Sequence, residues 1–163
     1  MRRLLVDLDG TVVDVHRRAV ERGHFDIHPP CTWFMTCCTT KTVEDIFGDD
    51  DLFANSEPLP GAIEGVRALM VDFDVHFVST PWHSNHNSAR LKYEWVEKYF
   101  GDARLLTLTH DKSLISGMAL IDDRPGLSGP WQHIEYPQPW NDRRHPTWND
   151  GLARHVRILL LGY

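Results

Sequence analysis

Short, wholly apolar runs alternate along this chain with longer stretches of helical periodicity. The first run, Leu4-Leu5-Val6, stops abruptly at Asp7-Leu8-Asp9-Gly10-Thr11. A run without polar alternation suits a strand buried on both faces, as in a parallel sheet. Val75 to Val78, Leu105 to Leu108 and Met118 to Ile121 repeat the pattern, and His133 to Tyr136 is a weaker fifth run. Between the runs, apolar residues fall three and four apart: Ile63, Val66, Leu69 and Met70 in 61–71, Leu91, Trp95, Val96 and Tyr99 in 86–100, and Leu152, Val156, Leu159 and Leu160 in 150–161. That spacing predicts helices. Pro58 and Pro60 mark the start of the first, and Gly101 stops the second. Strands alternating with helices predict an α/β fold with a mostly parallel sheet.

One segment breaks the alternation. Residues 15–57 hold Cys31, Cys37, Cys38, Trp33, Phe34 and the acidic turn Gly48-Asp49-Asp50-Asp51, and they read as an insertion packed over the core sheet. The stretch 136–148, rich in Pro, Trp, Asn and Arg, reads as an ordered surface loop, and Trp131, Trp140 and Trp148 read as serving packing or an oligomer contact rather than catalysis. The length of 163 residues fits about one domain. A net charge of −6 argues against sequence-independent binding to a nucleic-acid polymer, which needs a basic face. No run of 18 apolar residues occurs, so no membrane span is expected. Only three apolar residues precede Asp7, too few for a secretory signal, and the chain reads as cytoplasmic. Three cysteines, odd in number and without a CxxC pair, read as buried thiols rather than disulfides or metal ligands.

The chemistry gathers at the ends of the strands. Open α/β sheets bind ligands beyond the carboxyl ends of their strands. There the chain places Asp7 and Asp9, then Ser79 and Thr80, then Lys112 after the third run, then Asp122 and Asp123. Four carboxylates in one place repel one another unless a cation joins them, and Mg²⁺ prefers oxygen ligands shared with a substrate phosphate. Two hydroxyls and an ammonium suit the other phosphoryl oxygens. Asp7 could attack the phosphorus, since carboxylates form aspartyl-phosphates, and Asp9 could protonate the leaving alcohol and later deprotonate water. An EF-hand is excluded because its sixth and twelfth loop positions would be Val12 and Arg18, and the P-loop motif GxxxxGK[ST] is absent.

Asp7-Leu8-Asp9-Gly10-Thr11, a hydroxyl after an apolar strand, Lys112, and Asp122-Asp123 resemble, in order, the four motifs of the haloacid dehalogenase (HAD) superfamily of phosphatases. A closer resemblance is to the 5′(3′)-deoxyribonucleotidases. It rests on Pro58-Leu59-Pro60-Gly61-Ala62, Ser79-Thr80-Pro81, the helix from Lys92 to Gly101, Leu108-Thr109-His110-Asp111-Lys112-Ser113, and Leu120-Ile121-Asp122-Asp123-Arg124-Pro125. It implies a Rossmann-like three-layer sandwich formed by residues 1–14 and 58–163, with a small, mainly helical cap, 15–57, inserted after strand one. It implies Mg²⁺-dependent removal of phosphate from deoxyribonucleoside 5′- or 3′-monophosphates, with homodimers frequent in the family. By position, Asp7 is the nucleophile and Asp9 the acid/base, whose carbonyl also meets the metal. Ser79 and Thr80 hold phosphate oxygens, Lys112 orients the nucleophile, Asp122 partners Lys112, and Asp123 ligates the metal.

The resemblance also points to Trp33 and Phe34 as the aromatic stretch that stacks the base; the alternative is that they form the cap's own core. Base stacking is worth about 1–3 kcal/mol and tolerates several bases. The chain departs from the family at His110, where arginine often stands, and in the loop Trp82-His83-Ser84-Asn85-His86. His110 is a candidate phosphate contact and Trp82 a candidate phosphate or sugar contact, against the alternatives of turn capping and packing on the next helix. Two rival functions stay open: a HAD phosphatase for another small phosphoester such as a sugar phosphate, and a catalytically idle nucleotide sensor.

Overall fold

The computed structural model describes residues 2–24, 39 and 41–163. Trp33, Phe34 and the three cysteines lie outside the described residues.

Five strands form one parallel sheet: β1 (Arg3–Val6), β2 (Asp74–Ser79), β3 (Leu106–Leu108), β4 (Ala119–Asp122) and β5 (Gln132–Glu135). Their order across the sheet is β3-β2-β1-β4-β5. Each predicted run is a strand, displaced by at most a residue or so. The third starts at Leu106 because Ala103–Leu105 closes into a 3₁₀ turn capped by the Asp102 side chain. Helices α1 (Val15–Glu21), α2 (Val43–Phe47) and α3 (Asp50–Ala54) follow β1 in the chain. Helices α4 (Ala62–Leu69), α5 (Ser88–Phe100) and α6 (Leu152–Leu161) belong to the alternating part.

Strand alternation divides the core. Leu4, Val6, Phe77, Ala119 and Ile121 point to one face, where Ala62, Val66 and Leu69 of α4, Trp95 and Val96 of α5, and Leu152 and Val156 of α6 bury their apolar stripes. Leu5, Val78 and Leu120 point to the other face and meet Ile115, Leu127 and Trp131. Chain direction accounts for the division. The steps β1→β2→β3 move one way across the sheet and β3→β4 moves back, so right-handed connections must run over opposite faces.

The chain steps outward from β1 toward β2 on one side, while β4 flanks it on the other. That makes the carboxyl end of β1 a topological switch point, where such sheets bind ligands. Helices α1 and α3 are tied together by charge: Arg18 pairs with Asp51, and Arg22 and His24 both reach Asp49. Asp49 also caps α3, and its carboxyl is held below the ordinary value by His24 and Arg22 against the opposing effect of burial. No helix among the described residues is long and apolar enough to cross a membrane.

Candidate active site

A cavity of about 350 Å³ opens at the carboxyl ends of the strands. It is lined by Asp7, Asp9, Ser79, Thr80, Trp82, His110, Lys112, Asp122 and Asp123, along with Phe47 and Phe53 from α2 and α3. Every sequence-predicted site residue within the described part of the chain therefore meets in one place.

Asp7 is carried by the ladder itself: its N–H donates to Ile121 O at 2.8 Å, which fixes the end of β1 against β4. The chain then turns sharply, and Leu8 O accepts N–H bonds from Thr11, Val12 and Val13. Gly10 sits in this turn at φ +74°, the left-handed region that disfavours other residues. A Cβ there would also lie 2.5 Å from Asp123 Oδ2, so the glycine is what lets the fourth motif approach the first. Thr11 completes the join by accepting Asp123 N–H at Oγ1, 3.1 Å away.

Lys112 stands between two acids. Its Nζ is 2.6 Å from Asp7 Oδ1 and 2.6 Å from Asp122 Oδ2. Burial would expel the charge from this ammonium, but the two carboxylates prevail and hold its pKa above the ordinary lysine value. Burial pushes Asp7 up to about 7, opposed by Lys112 and aided by Asp122 and Asp9. Burial likewise raises Asp123 well above the carboxylate range, with the charges of Asp122 and Asp7 adding to it.

Ligand oxygens of Asp7, Asp122 and Asp123 all lie within 4.8 Å of one another, and all three residues are buried. Both oxygens of Asp122 are engaged, one by Lys112 and the other by the Arg124 N–H at 2.9 Å. Asp7 and Asp123 are therefore the better placed to turn an oxygen toward a cation. Burial first, and the neighbouring carboxylates second, keep the Asp7 and Asp123 carboxyls above their ordinary values, and an all-oxygen donor set is what a hard divalent cation takes. The residues present fit such an ion.

Ser79, at the end of β2, is buried and faces this group. The Thr80 hydroxyl donates to Thr109 O at 3.0 Å, which ties the β2 end to the loop after β3. Among the other lining residues, Trp82 stacks on Phe47 with ring centroids 4.8 Å apart and 26° between planes. The Trp82 Nε1–H is buried and has no hydrogen-bond partner among the described residues.

The structure adds two sets of residues that sequence reasoning did not single out. The 136–148 loop grips the turns after β1 and β4 through their carbonyls. Gln138 Nε2 donates to Gly10 O (2.6 Å), Trp148 Nε1 to Thr11 O (2.6 Å), and Trp140 Nε1 and Asn141 Nδ2 to Asp123 O (3.2 and 3.0 Å). The Trp140 ring also packs against His16 and the Trp148 ring against Tyr136. The second addition is Lys92 of α5, nearly fully buried and paired with Asp9. No feature of the helix sequence marks it as a site residue.

The parallel sheet, its switch point and the strand-end acids define a HAD-like hydrolase. The fold agrees with a solved haloacid dehalogenase-like family hydrolase from Xanthomonas campestris, at 15% identity with a TM-score of 0.56, covering 99% of this chain and 93% of that one. Residues 2–132 match the family described as 5′ nucleotidase, deoxy (pyrimidine), cytosolic type C protein, and the chain belongs to it. It is 35% identical to the mitochondrial 5′(3′)-deoxyribonucleotidase of Homo sapiens over 91% of this chain and 79% of that protein. With the human cytosolic-type 5′(3′)-deoxyribonucleotidase it shares 27% identity, over 91% and 90% of the two chains. It is an enzyme, a phosphatase of the nucleotidase kind.

Proposed function

We propose that the protein is a Mg²⁺-dependent phosphatase of deoxyribonucleoside 5′- or 3′-monophosphates that works through an aspartyl-phosphate. The observation that carries this reading is Lys112 lying 2.6 Å from both Asp7 and Asp122, with Asp123 beside them, at the floor of a cavity walled by aromatic rings. The same cavity thus offers phosphate chemistry and a surface for a flat, apolar group.

Asp7 attacks phosphorus, forming a bond from its carboxylate oxygen as the ester P–O bond breaks, and Asp9 gives its proton to the departing alcohol. Asp9 then takes a proton from water. The resulting hydroxide displaces Asp7 from phosphorus, inorganic phosphate leaves and both acids are restored. Lys112 holds Asp7 in line and, with the Ser79 hydroxyl, meets the phosphoryl oxygens. Asp7, Asp123 and the Asp9 carbonyl would hold Mg²⁺, which when bound supplies positive charge against the transferring phosphoryl group. Residues 15–57 serve as a cap over the core of 1–14 and 58–163, and the base lies along the Trp82 and Phe47 rings, with Trp33 and Phe34 as further candidates in that cap. His110, on the cavity rim, is a further candidate for contact with the phosphate.

Turnover of deoxyribonucleotides, ribonucleotides and sugar phosphates, each with Mg²⁺ and with a chelator, tests this reading. Deoxyribonucleoside monophosphates should be the best substrates and chelation should stop the reaction. Faster hydrolysis of sugar phosphates would overturn the nucleotide assignment.

A further inference from the structure

Lys92 is a lysine that the reaction as described does not use, and it is only 2% exposed. It does not line the 350 Å³ cavity, although Asp9 and Ser79 do. It stands behind them. Its Nζ pairs with Asp9 Oδ2, donates to Ser79 Oγ at 3.1 Å, and lies 5.0 Å from the centroid of the Phe53 ring in α3. A buried ammonium is kept charged only by such partners, and a helix position this close to the core would more cheaply hold an apolar side chain.

We propose that Lys92 is a positioning residue: it fixes the Asp9 carboxylate toward the leaving-group oxygen and sets the direction of the Ser79 hydroxyl. This rests on the phosphatase reading above. Two geometric points support it. An ammonium donates only, so the pair leaves Asp9 Oδ1 as the oxygen free to carry and deliver a proton at the cavity. By donating to Ser79 Oγ, Lys92 occupies a lone pair of that oxygen, which leaves the Ser79 proton to be given to a phosphoryl oxygen. The contact with Phe53 adds a link to the inserted segment, so a shift of α3 would be felt at Asp9.

The test compares wild type with Lys92→Met and Lys92→Gln on two leaving groups, reading kcat/KM. A nucleoside alkoxide needs a proton as it departs, whereas p-nitrophenolate does not. General-acid assistance is worth about 10²–10⁴-fold, so Lys92→Met should lose about a hundredfold on a deoxyribonucleoside monophosphate and at least about tenfold less than that on p-nitrophenyl phosphate. Lys92→Gln, whose amide keeps two N–H donors without the charge, should recover part of the loss. A residue that merely supported the fold would depress both substrates equally, and that result overturns the proposal. A crystal structure of Lys92→Met gives an answer that needs no activity. Asp9 and Ser79 should leave their present orientations; if both stay where they are, Lys92 does not position them. A wild type inactive on every phosphoester would overturn the function instead, and the structure of the variant would still decide the role of Lys92.

Discussion

The two walls of the cavity are built on different principles. On the acid side, each group is fixed by directional bonds from separate parts of the chain: Asp7 by β4 and Lys112, Asp122 by Lys112 and Arg124 N–H, the Asp123 backbone by Thr11, Trp140 and Asn141. On the aromatic side, Phe47, Phe53 and Trp82 are held by ring contacts and by bonds between backbone and loop, such as Asn85 Nδ2 to Phe47 O at 3.1 Å. Asn87 Nδ2 adds a bond to Asp50 Oδ2, so the loop after β2 is fastened to α2 and α3 rather than capping α5 with that side chain. Reaction geometry demands directional bonds because a misplacement of about 1 Å can cost about a hundredfold. Stacking demands only a flat surface at the right distance. The acid wall should therefore govern whether phosphate is removed at all, and the aromatic wall which phosphoester is preferred.

The sharpest break of this division is at the acids. Asp9→Asn should lower kcat by about 10²–10⁴-fold through loss of the proton donor, with folding intact. Asp7→Asn should fall further, because no bond to phosphorus can form, and should give no acid-stable phosphoprotein after quenching. Both losses should appear on every substrate alike where chemistry limits the rate, measured by phosphate release.

Next in size is a stability effect of the same wall. Asp7 is raised to about 7 in the folded chain, so the folded state retains a proton that the unfolded chain releases near its ordinary value of 3.8. Folding is then least penalised at low pH, and this contribution is lost as pH rises from about 4 to about 7, where it levels off. Asp7→Asn removes the group, so its stability relative to metal-free wild type should rise by about 2–4 kcal/mol across that window. Added Mg²⁺ should shrink the difference by stabilising the wild-type carboxylate. Denaturant melts of the two proteins at pH 4 and 8 measure it, and a constant difference would show that Asp7 titrates normally.

The aromatic wall should give a smaller and selective effect. Stacking is worth about 1–3 kcal/mol per base, so Trp82→Ala should lower kcat/KM for deoxyribonucleotides by about 5–100-fold. The same variant should change kcat/KM for a simple alkyl phosphate much less. An equal loss on both would place Trp82 with the acid wall and end the division of labour.

What the sequence revealed follows the same line. The acids and the hydroxyls were legible because chain order and strand ends bring them together: four short apolar runs each stop at a polar motif, and a parallel sheet aligns those stops at one edge. Lys92 was not, because nothing in the pattern KYEWVEKYF says that this lysine faces inward; its partner Asp9 is 83 residues away. Trp140 and Trp148 were read as serving packing or an oligomer contact, and their targets, the carbonyls of Asp123 and Thr11, carry no side-chain signature. Phe47 was hidden for another reason: α2 is five residues long, too short for periodicity to show which face is buried.

The smallest effect tests whether the 136–148 loop truly belongs to the acid wall. Trp140→Phe keeps a ring that can still pack beside His16, whose ring centroid is 4.5 Å from that of Trp140 in the native protein, and removes only the indole donor to Asp123 O. Asn141 still donates to the same carbonyl, so no acceptor is left bare and the cost should be about 0.5–1.5 kcal/mol. If the loop only fills space, that cost appears in the unfolding midpoint and nowhere else. If it aims Asp123, part of it appears as weaker Mg²⁺ binding, about two- to tenfold by titration calorimetry, while the nucleotide KM at saturating Mg²⁺ stays near that of wild type. Removing both donors, in Trp140→Phe with Asn141→Ala, should weaken the metal by more than the two single changes combined, because only then does a carbonyl beside the site lose every side-chain partner.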